Sequence, residues 1–184
     1  MTPVNIRNSL SSEINAILQN NEKIKLASVL ILIFENSSKI LMIKKPITMK
    51  QHGGEIAFPG GKISDEDGDL LDTAIRETKE ETGIVVKRDQ IIGQLKPVTT
   101  LNSGFTILPF VCILDKINDL RANSEVEKFL EIPLMQLLQT LSDDQDTEHN
   151  SIQEMYTFTF ENYLIWGASA RMLKQITTKL KSNE

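Results

Sequence analysis

A helical segment at residues 69–82 constrains this chain most, because it places three carboxylates beside an apolar stripe. At about 100° per residue, Glu77, Glu80 and Glu81 fall within an arc of roughly 100°. Asp69 is a typical N-cap, and Gly83 suits a left-handed residue after the last turn. Small and apolar side chains cover the adjoining arc, namely Leu71, Ala74, Ile75, Thr78 and Thr82. The carboxylates therefore flank the face that the fold will bury.

Three clustered acids are unfavourable without a counter-charge. Like charges three and four positions apart repel by a few tenths of a kcal/mol each, and partial burial adds a desolvation cost. A hard divalent cation such as Mg²⁺ removes both costs, because it takes carboxylate oxygens as ligands. The alternative is a solvated acidic face paired with Arg76 and Lys79. The upstream Gly60-Gly61 turn and the apolar stripe favour a metal site on a rigid scaffold.

Strand and helix patterns intermix along the rest of the chain, which predicts an α/β or α+β fold with a mixed sheet. Apolar residues at helical spacing predict an N-terminal helix over 6–18, within an extension of about residues 1–22. Apolar runs at 25–35 and 40–43, separated by a polar turn, predict a hairpin. The remaining predicted elements are a short apolar segment at 56–58, strands at 91–100, 106–114, 125–131 and 156–160, and helices at 133–141 and 168–180.

Composition places the chain among ordinary globular proteins. Its 184 residues predict one domain, and 40% hydrophobic with 24% charged residues exclude a disordered chain. The single cysteine, Cys112, lies in an apolar run and is predicted to be a buried hydrophobe. A net charge of −5 predicts no general attraction to nucleic acid or to an anionic membrane. The sequence carries no signal-peptide pattern and no apolar run of membrane-spanning length, so we expect a cytoplasmic location.

The acidic helix and the glycines before it resemble the Nudix box. That pattern is Gly, five residues, Glu, seven residues, then Arg-Glu-x-x-Glu-Glu-x-Gly. Here five residues separate Gly61 from Asp67, and eight more precede the run at 76–83, Arg-Glu-Thr-Lys-Glu-Glu-Thr-Gly. Asp67 thus stands in place of the first glutamate, and one extra residue precedes Arg76. The resemblance implies a single Nudix domain over residues 1–184, with a mixed sheet sandwiched between helices.

These departures match one Nudix subfamily, the coenzyme A pyrophosphatases, which carry a similar spacing. The stretch at 52–61, His-Gly-Gly-Glu-Ile-Ala-Phe-Pro-Gly-Gly, is similar to an upstream signature of that subfamily. Arginines are frequent in the family where this chain has Lys44-Lys45, and glutamine is frequent at Glu55. Both differences bear on substrate preference rather than on hydrolysis. Further matches lie at 103–105, 109–111, 125–127, 132–134 and 165–170.

The resemblance implies roles for the acids. Many Nudix enzymes use a glutamate on a distant loop as a base or extra ligand, and Glu125 is our candidate for this catalytic role, with Glu127 second. A solvated loop acid is the alternative for both. Arg76 is expected to orient the box carboxylates by charge-assisted hydrogen bonds. The residues expected to hold Mg²⁺ or Mn²⁺ are Glu77, Glu80 and Glu81, of which Glu80 and Glu81 also serve catalysis.

Candidate substrate contacts lie near the entrance of the box. Gly60 and Gly61 permit close backbone approach beside the metal site, while also forming a tight turn. Trp166 is expected to pack the last helix against the sheet, with a share in the pocket as a second role. Four basic residues are candidates to meet a polyphosphate or the 3′-phosphate of coenzyme A, with an ordinary surface charge as the alternative for each: Lys44, Lys45, Lys50 and His52.

Three functions follow as hypotheses. The first is cleavage of coenzyme A or acyl-coenzyme A to 3′,5′-ADP and 4′-phosphopantetheine or its acyl form, so that the partner is a nucleotide-type small molecule. The second is hydrolysis of another nucleoside diphosphate derivative, such as NADH or ADP-ribose, or of a nucleoside triphosphate. The third is a non-catalytic Nudix-fold binding module, which the presence of all three box glutamates disfavours. The sequence leaves monomer and homodimer open.

Overall fold

The computed structural model describes residues 3–18, 24–36, 38–49, 52–100, 103–116, 119–144 and 155–182, and a mixed sheet forms its centre. The helices are α1 (Pro3–Leu10), α2 (Leu70–Thr82), α3 (Leu134–Gln139) and α4 (Gly167–Lys181). The strands are β1 (Lys25–Phe34), β2 (Lys39–Lys44), β3 (Ile56–Ala57), β4 (Gly60–Lys62), β5 (Ile91–Gln94), β6 (Val98–Thr99), β7 (Phe105–Leu114), β8 (Lys128–Pro133), β9 (Ser142–Asp143), β10 (Tyr156–Phe160) and β11 (Tyr163–Ile165). The larger sheet has the order β3-β2-β1-β7-β5, with β4 also paired to β1, β6 to β7 and β8 to β2.

The central strands β1 and β7 pair in parallel along their whole length. Parallel strands are usually covered on both faces, and the continuous apolar runs of β1 and β7 give each strand two apolar faces to bury. Successive side chains point to opposite faces. Leu30 and Leu32 pack in the core that includes residues of α2, whereas Ile31 and Ile33 pack in the core that includes residues of α4. The predicted Nudix fold, a mixed sheet sandwiched between helices, is confirmed.

Helix α2 begins and ends where its sequence predicts. The Asp69 carboxylate accepts hydrogen bonds from the backbone N–H groups of Leu71 and Asp72. Gly83 has φ of +75°, and its N–H donates to the carbonyl of Lys79. Both ends are therefore satisfied locally, and the three glutamates stay in the predicted register.

The predicted helix at 6–18 is too long, because α1 ends at Leu10. The following segment lies against β5 instead. Ser12 donates from its backbone N–H to the carbonyl of Ile92, and Asn15 donates to the side-chain oxygen of Gln94. These tertiary hydrogen bonds replace the helical ones, and Ile17, placed on the apolar face by the prediction, is 73% exposed. Residues 19–22 of the predicted extension lie outside the described ranges.

Three other predicted elements differ in their bounds. The strand predicted at 91–100 is divided into β5 and β6, because the residues between them include Pro97, which lacks a backbone donor. The strand predicted at 125–131 lies at 128–133 and pairs with β2. Pro133 ends that strand and directly precedes α3, which stops at Gln139 rather than at Leu141. The hairpin and the late strand at 156–160 are confirmed.

The environment of Cys112 agrees with its predicted role as a buried hydrophobic residue. Cys112 is fully buried, and desolvation raises the pKa of its thiol to about 12, so it is the inert core residue that the sequence predicts. Among the helices of the described ranges, none has the length and apolar character needed to cross a bilayer.

Candidate active site

Glu81 is a buried carboxylate at the contact between α2 and β4. Its side chain is almost completely inaccessible, and Oε2 accepts a hydrogen bond of 2.8 Å from the backbone N–H of Gly60. Oε1 has no hydrogen-bond partner within the described part of the chain, although Lys45 Nζ lies 3.7 Å away. Burial raises the pKa of Glu81 to about 7, while the charge of Lys45 and the Gly60 N–H act in the opposite direction. Oε1 of Glu81 is therefore a buried acceptor that no described donor occupies.

The two glycines of β4 let α2 approach closely. A Cβ atom at Gly60 would collide with the backbone of Ser28 and Val29, and one at Gly61 would collide with the carboxylate of Glu77. The absence of side chains here therefore allows the acids to lie directly against the strand. Burial is the largest cause that raises the pKa of Glu77, and it outweighs the hydrogen bond from Arg76.

Arg76 connects the acidic helix to the loop that precedes it. Its Nε and Nη2 atoms donate to the two oxygens of Asp67, each at 2.9 Å. Nη1 donates to Glu77 at 2.9 Å and reaches Glu80 at 3.4 Å. The guanidinium group holds the pKa of Asp67 well below its usual range. Asp67 therefore contacts the arginine rather than the other acids, and Arg76 makes the contacts that the predicted orienting role requires.

The remaining predicted acids, Glu80, Glu125 and Glu127, are more exposed than Glu77 and Glu81. The Glu80 side chain is 53% exposed, and its hydrogen bonds run to Arg76. Glu125 is exposed but close enough that its charge adds to the raised pKa of both Glu77 and Glu81, after the larger contribution of burial. Glu127 pairs with Lys44. Within the described ranges, no three His, Cys, Asp or Glu side chains are arranged as a ready metal site. The structure thus brings Glu77 and Glu81 against β4 and leaves Glu80 on the outside.

The predicted basic residues fall into different environments. Lys45 faces Glu81 and lines a cavity, whereas Lys44 is paired with Glu127 and does not line it. His52 has a left-handed backbone with φ of +60°, and its Nδ1 lies 3.0 Å from a carboxylate oxygen of Glu55. Lys50 lies outside the described residues. Of the four candidates, the structure therefore places Lys45 and His52 at the cavity.

The cavity next to the acids measures about 260 Å³ and is formed by β1, β4, β7 and the start of α4. Gly60 and Gly61 form its edge towards α2, and Trp166 lines it as predicted. Sequence reasoning assigned no role to several other lining residues, which are Lys62, Thr100, Phe105, Met155 and Arg171. Phe105 belongs to one of the short family matches, at 103–105, which was the available signal for it.

Comparison with known proteins agrees with this architecture. The model of the NUDIX domain matches residues 25–155. An uncharacterized Nudix hydrolase called NudL, from Photorhabdus laumondii, is 30% identical over 158 residues, which cover 84% of each chain. The crystal structure of a MutT/nudix family protein from Enterococcus faecalis has a TM-score of 0.61 at 15% identity, covering 90% of this chain and 65% of that one. A Nudix hydrolase from Alicyclobacillus acidocaldarius has a TM-score of 0.57 at 17% identity, covering 88% and 93%.

The mixed sheet, the double-glycine strand and the acid-bearing helix define an α+β hydrolase domain that acts on phosphoanhydrides. The chain belongs to the Nudix family, because the family model spans more than two thirds of it and includes the whole acidic segment. It is accordingly a pyrophosphohydrolase.

Proposed function

We propose that this chain hydrolyses the pyrophosphate bond of coenzyme A or of an acyl-coenzyme A with Mg²⁺ or Mn²⁺ as cofactor. The oxygen of a water molecule bonds to one phosphorus, the bridging oxygen leaves with the other, and the proton released from the water passes to a basic side chain and then to solvent. The products are 3′,5′-ADP and 4′-phosphopantetheine or its acyl form. The buried Oε1 of Glu81, which has no hydrogen-bond partner among the described residues, supports this proposal most directly, because Glu81 contacts Gly60 and Lys45, two residues that line the cavity.

Glu77, Glu80 and Glu81 are the residues that would hold the ion. Carboxylate oxygens are the ligands that Mg²⁺ and Mn²⁺ prefer, and Oε1 of Glu81 is a buried acceptor without a donor in the described structure. Glu80 is exposed and held only by long hydrogen bonds to Arg76, so its carboxylate is free to turn towards an ion. When bound, a divalent ion neutralises diphosphate oxygens and lowers the pKa of a coordinated water.

The groups around the acids would orient the carboxylates, supply a positive charge and accept a proton. The Gly60 N–H fixes one oxygen of Glu81, and Arg76 fixes Glu77. Lys45, whose side chain is 15% exposed, supplies a positive charge next to the position of the diphosphate. Glu125 would accept the proton of the attacking water, because its charge lies near Glu77 and Glu81 while its side chain remains accessible.

Coenzyme A is favoured over other nucleotides by the position of the upstream stretch at 52–61. This stretch resembles the coenzyme A signature, and six of its residues form one wall of the cavity: His52, Glu55, Ala57, Phe58, Gly60 and Gly61. The opposite wall carries Trp166 and Met172 from the start of α4 and the segment before it. A cavity with apolar walls and cationic groups suits a substrate that combines a diphosphate with extended organic arms.

Chromatography of reaction products tests the proposal. The purified protein is incubated with Mg²⁺ or Mn²⁺ and, separately, with coenzyme A, acetyl-coenzyme A, NADH, ADP-ribose and dGTP. We expect metal-dependent release of 4′-phosphopantetheine or its acetyl form, with the highest kcat/KM for a coenzyme A substrate. Faster cleavage of NADH, ADP-ribose or dGTP would overturn the assignment of coenzyme A as the substrate, while the protein would still be a pyrophosphohydrolase.

A further inference from the structure

Two lysines and one phenylalanine, Lys25, Lys62 and Phe105, form a cluster on three neighbouring strands beside the cavity. Lys25 begins β1 and lies directly opposite Phe105, which begins β7. Lys62 ends β4 and lies opposite Ala27, two residues from Lys25 on the same face of β1. The ammonium groups of Lys25 and Lys62 lie 5.5 and 5.2 Å from the centre of the Phe105 ring. The ring thus holds both cations at one place.

The two lysines of this cluster lack acidic partners. Neither forms an ion pair with a carboxylate in the part of the chain that the structure describes, whereas Lys39, Lys44 and Lys45 each do. The ammonium group of Lys25 donates to the backbone carbonyl of Ser103, at 3.4 Å. Two uncompensated positive charges next to one ring repel each other, in a protein whose net charge is −5. A bound anion would relieve that repulsion.

Two of the three cluster members line the cavity that lies next to the acidic site. Lys62 and Phe105 line it, together with Thr100, whose hydroxyl lies 2.7 Å from that of Ser103. Gly60, which holds Glu81, lies two residues from Lys62 on β4, a span of about 7 Å. A ribose ring separates its 5′- and 3′-phosphates by a comparable span. A substrate with its diphosphate beside Gly60 is therefore long enough for its 3′-phosphate to reach Lys62.

We propose that Lys25, Phe105 and Lys62 form a subsite for a phosphate monoester on the ribose of the substrate. A monoester carries a charge of about −1.5 to −2 at neutral pH, more than either phosphorus of a diphosphate diester, and therefore suits two cations. This inference rests on the proposed function, since coenzyme A carries such a 3′-phosphate. Dephospho-coenzyme A and ordinary nucleotides without the monoester would not engage the subsite.

Calorimetric binding of 3′,5′-ADP and of 5′-AMP, with Mg²⁺ present, tests the subsite without turnover. The wild-type protein is compared with the double variant Lys25→Met, Lys62→Met, which keeps the apolar stems and removes both charges. Lys128→Met is the matched control, because that lysine also lies over an aromatic ring, Tyr163, and neither residue lines the cavity. We expect the wild type and the control to bind 3′,5′-ADP at least about tenfold more tightly than 5′-AMP. The double variant should bind the two nucleotides equally.

Turnover distinguishes this inference from the proposed function. The wild type should show a higher kcat/KM for coenzyme A than for dephospho-coenzyme A, and the double variant should lose that ratio while it still cleaves both. Tenfold discrimination in binding without cleavage of either compound would overturn the proposed function and keep the subsite. Equal binding of both nucleotides by the wild type, or unchanged discrimination in the double variant, would overturn the subsite.

Discussion

At the residue scale, Glu81 combines burial with an incomplete set of partners. Among the described residues, only Gly60 donates a hydrogen bond to its carboxylate, and Lys45 Nζ lies 3.7 Å from the other oxygen. A buried carboxylate in such surroundings destabilises the folded protein, because desolvation of a charge is incompletely compensated. Side chains that cost stability in this way are frequent at functional sites.

Glu81→Gln should therefore separate activity from stability. The amide keeps the oxygen that accepts from Gly60 but removes the negative charge, so we expect kcat to fall by at least about 100-fold. The free energy of unfolding at pH 7 should stay the same or rise, because a buried charge has been removed. Product formation under saturating substrate and urea denaturation measure the two quantities.

Glu131→Gln is the matched control for this substitution. Glu131 is an exposed glutamate on β8 that pairs with Lys39, away from the cavity. It should leave kcat within a factor of about two of wild type. A near-normal kcat in Glu81→Gln would remove Glu81 from the proposed catalytic and metal-binding roles.

At the element scale, the interaction of Arg76 with Asp67 fixes the loop at 62–69 to helix α2. The side chain of Asp67 is 4% exposed and accepts hydrogen bonds from Arg76, from the Thr73 hydroxyl and from the backbone N–H of Ser64. Its charged form is favoured in the folded state, since the arginine lowers the pKa of this carboxyl.

The depressed pKa of Asp67 predicts a pH-dependent contribution to stability. Its unfolded value is near 3.8, so the contribution is complete well above that pH and is lost as the pH falls towards the folded value. We expect Asp67→Asn to lower the free energy of unfolding by about 2 kcal/mol at pH 6. The difference from wild type should shrink below about pH 4.

Urea denaturation at several pH values between about 3 and 7 checks this pattern. Asp65→Asn is the control, because Asp65 lies exposed in the same loop and makes none of these hydrogen bonds. It should leave the pH profile of stability unchanged. A constant deficit of Asp67→Asn at every pH would show that lost packing, rather than the charge, causes the effect.

The elements that sequence predicted well are those determined by neighbouring residues. Helix α2 is bounded by Asp69 and Gly83, and both caps act within a few positions along the chain. The predicted helix at 6–18 was wrong beyond Leu10, because its continuation is decided by Ile92 and Gln94. Local periodicity carries no information about partners some 80 positions away.

The same distinction applies to the site. The helix register placed Glu77, Glu80 and Glu81 beside the buried face, and the structure buries Glu81, partly buries Glu77 and leaves the Glu80 side chain 53% exposed. Sequence did not show that Lys44 pairs with Glu127 whereas Lys45 faces Glu81, since this depends on which side of β2 each lysine occupies. The Lys25–Phe105–Lys62 cluster was also not predicted, because its members come from three separate strands.

At the scale of the whole molecule, charge favours uptake of a divalent cation. The net charge of −5 and the cluster of Glu77, Glu80, Glu81 and Glu125 create a negative potential on one side of the sheet. An ion that binds only the folded state stabilises it by mass action. If these carboxylates hold the ion as proposed, metal binding will stabilise the folded protein.

Mg²⁺ or Mn²⁺ should raise the Tm of the wild-type protein. At about 100 times its Kd, a single ion adds about 2.7 kcal/mol, which corresponds to a rise of about 5 °C or more for a chain of this size. Differential scanning calorimetry at matched ionic strength, with KCl in place of the divalent salt, measures the specific effect. If the Glu81→Gln variant shows the same rise as wild type, the ion binds elsewhere.

The parallel pairing of β1 with β7 also constrains how the protein is made. The two strands are joined across the sequence by contacts such as that from the Ser28 hydroxyl to the carbonyl of Leu108, 80 positions apart. During synthesis, β1 can pair with β2 and β4 long before β7 has left the ribosome, and its other edge stays open and apolar. The acidic helix α2 is therefore synthesised before β7, which forms part of the neighbouring cavity. Shielding of this open edge by chaperones would matter most in the interval before residue 114 emerges.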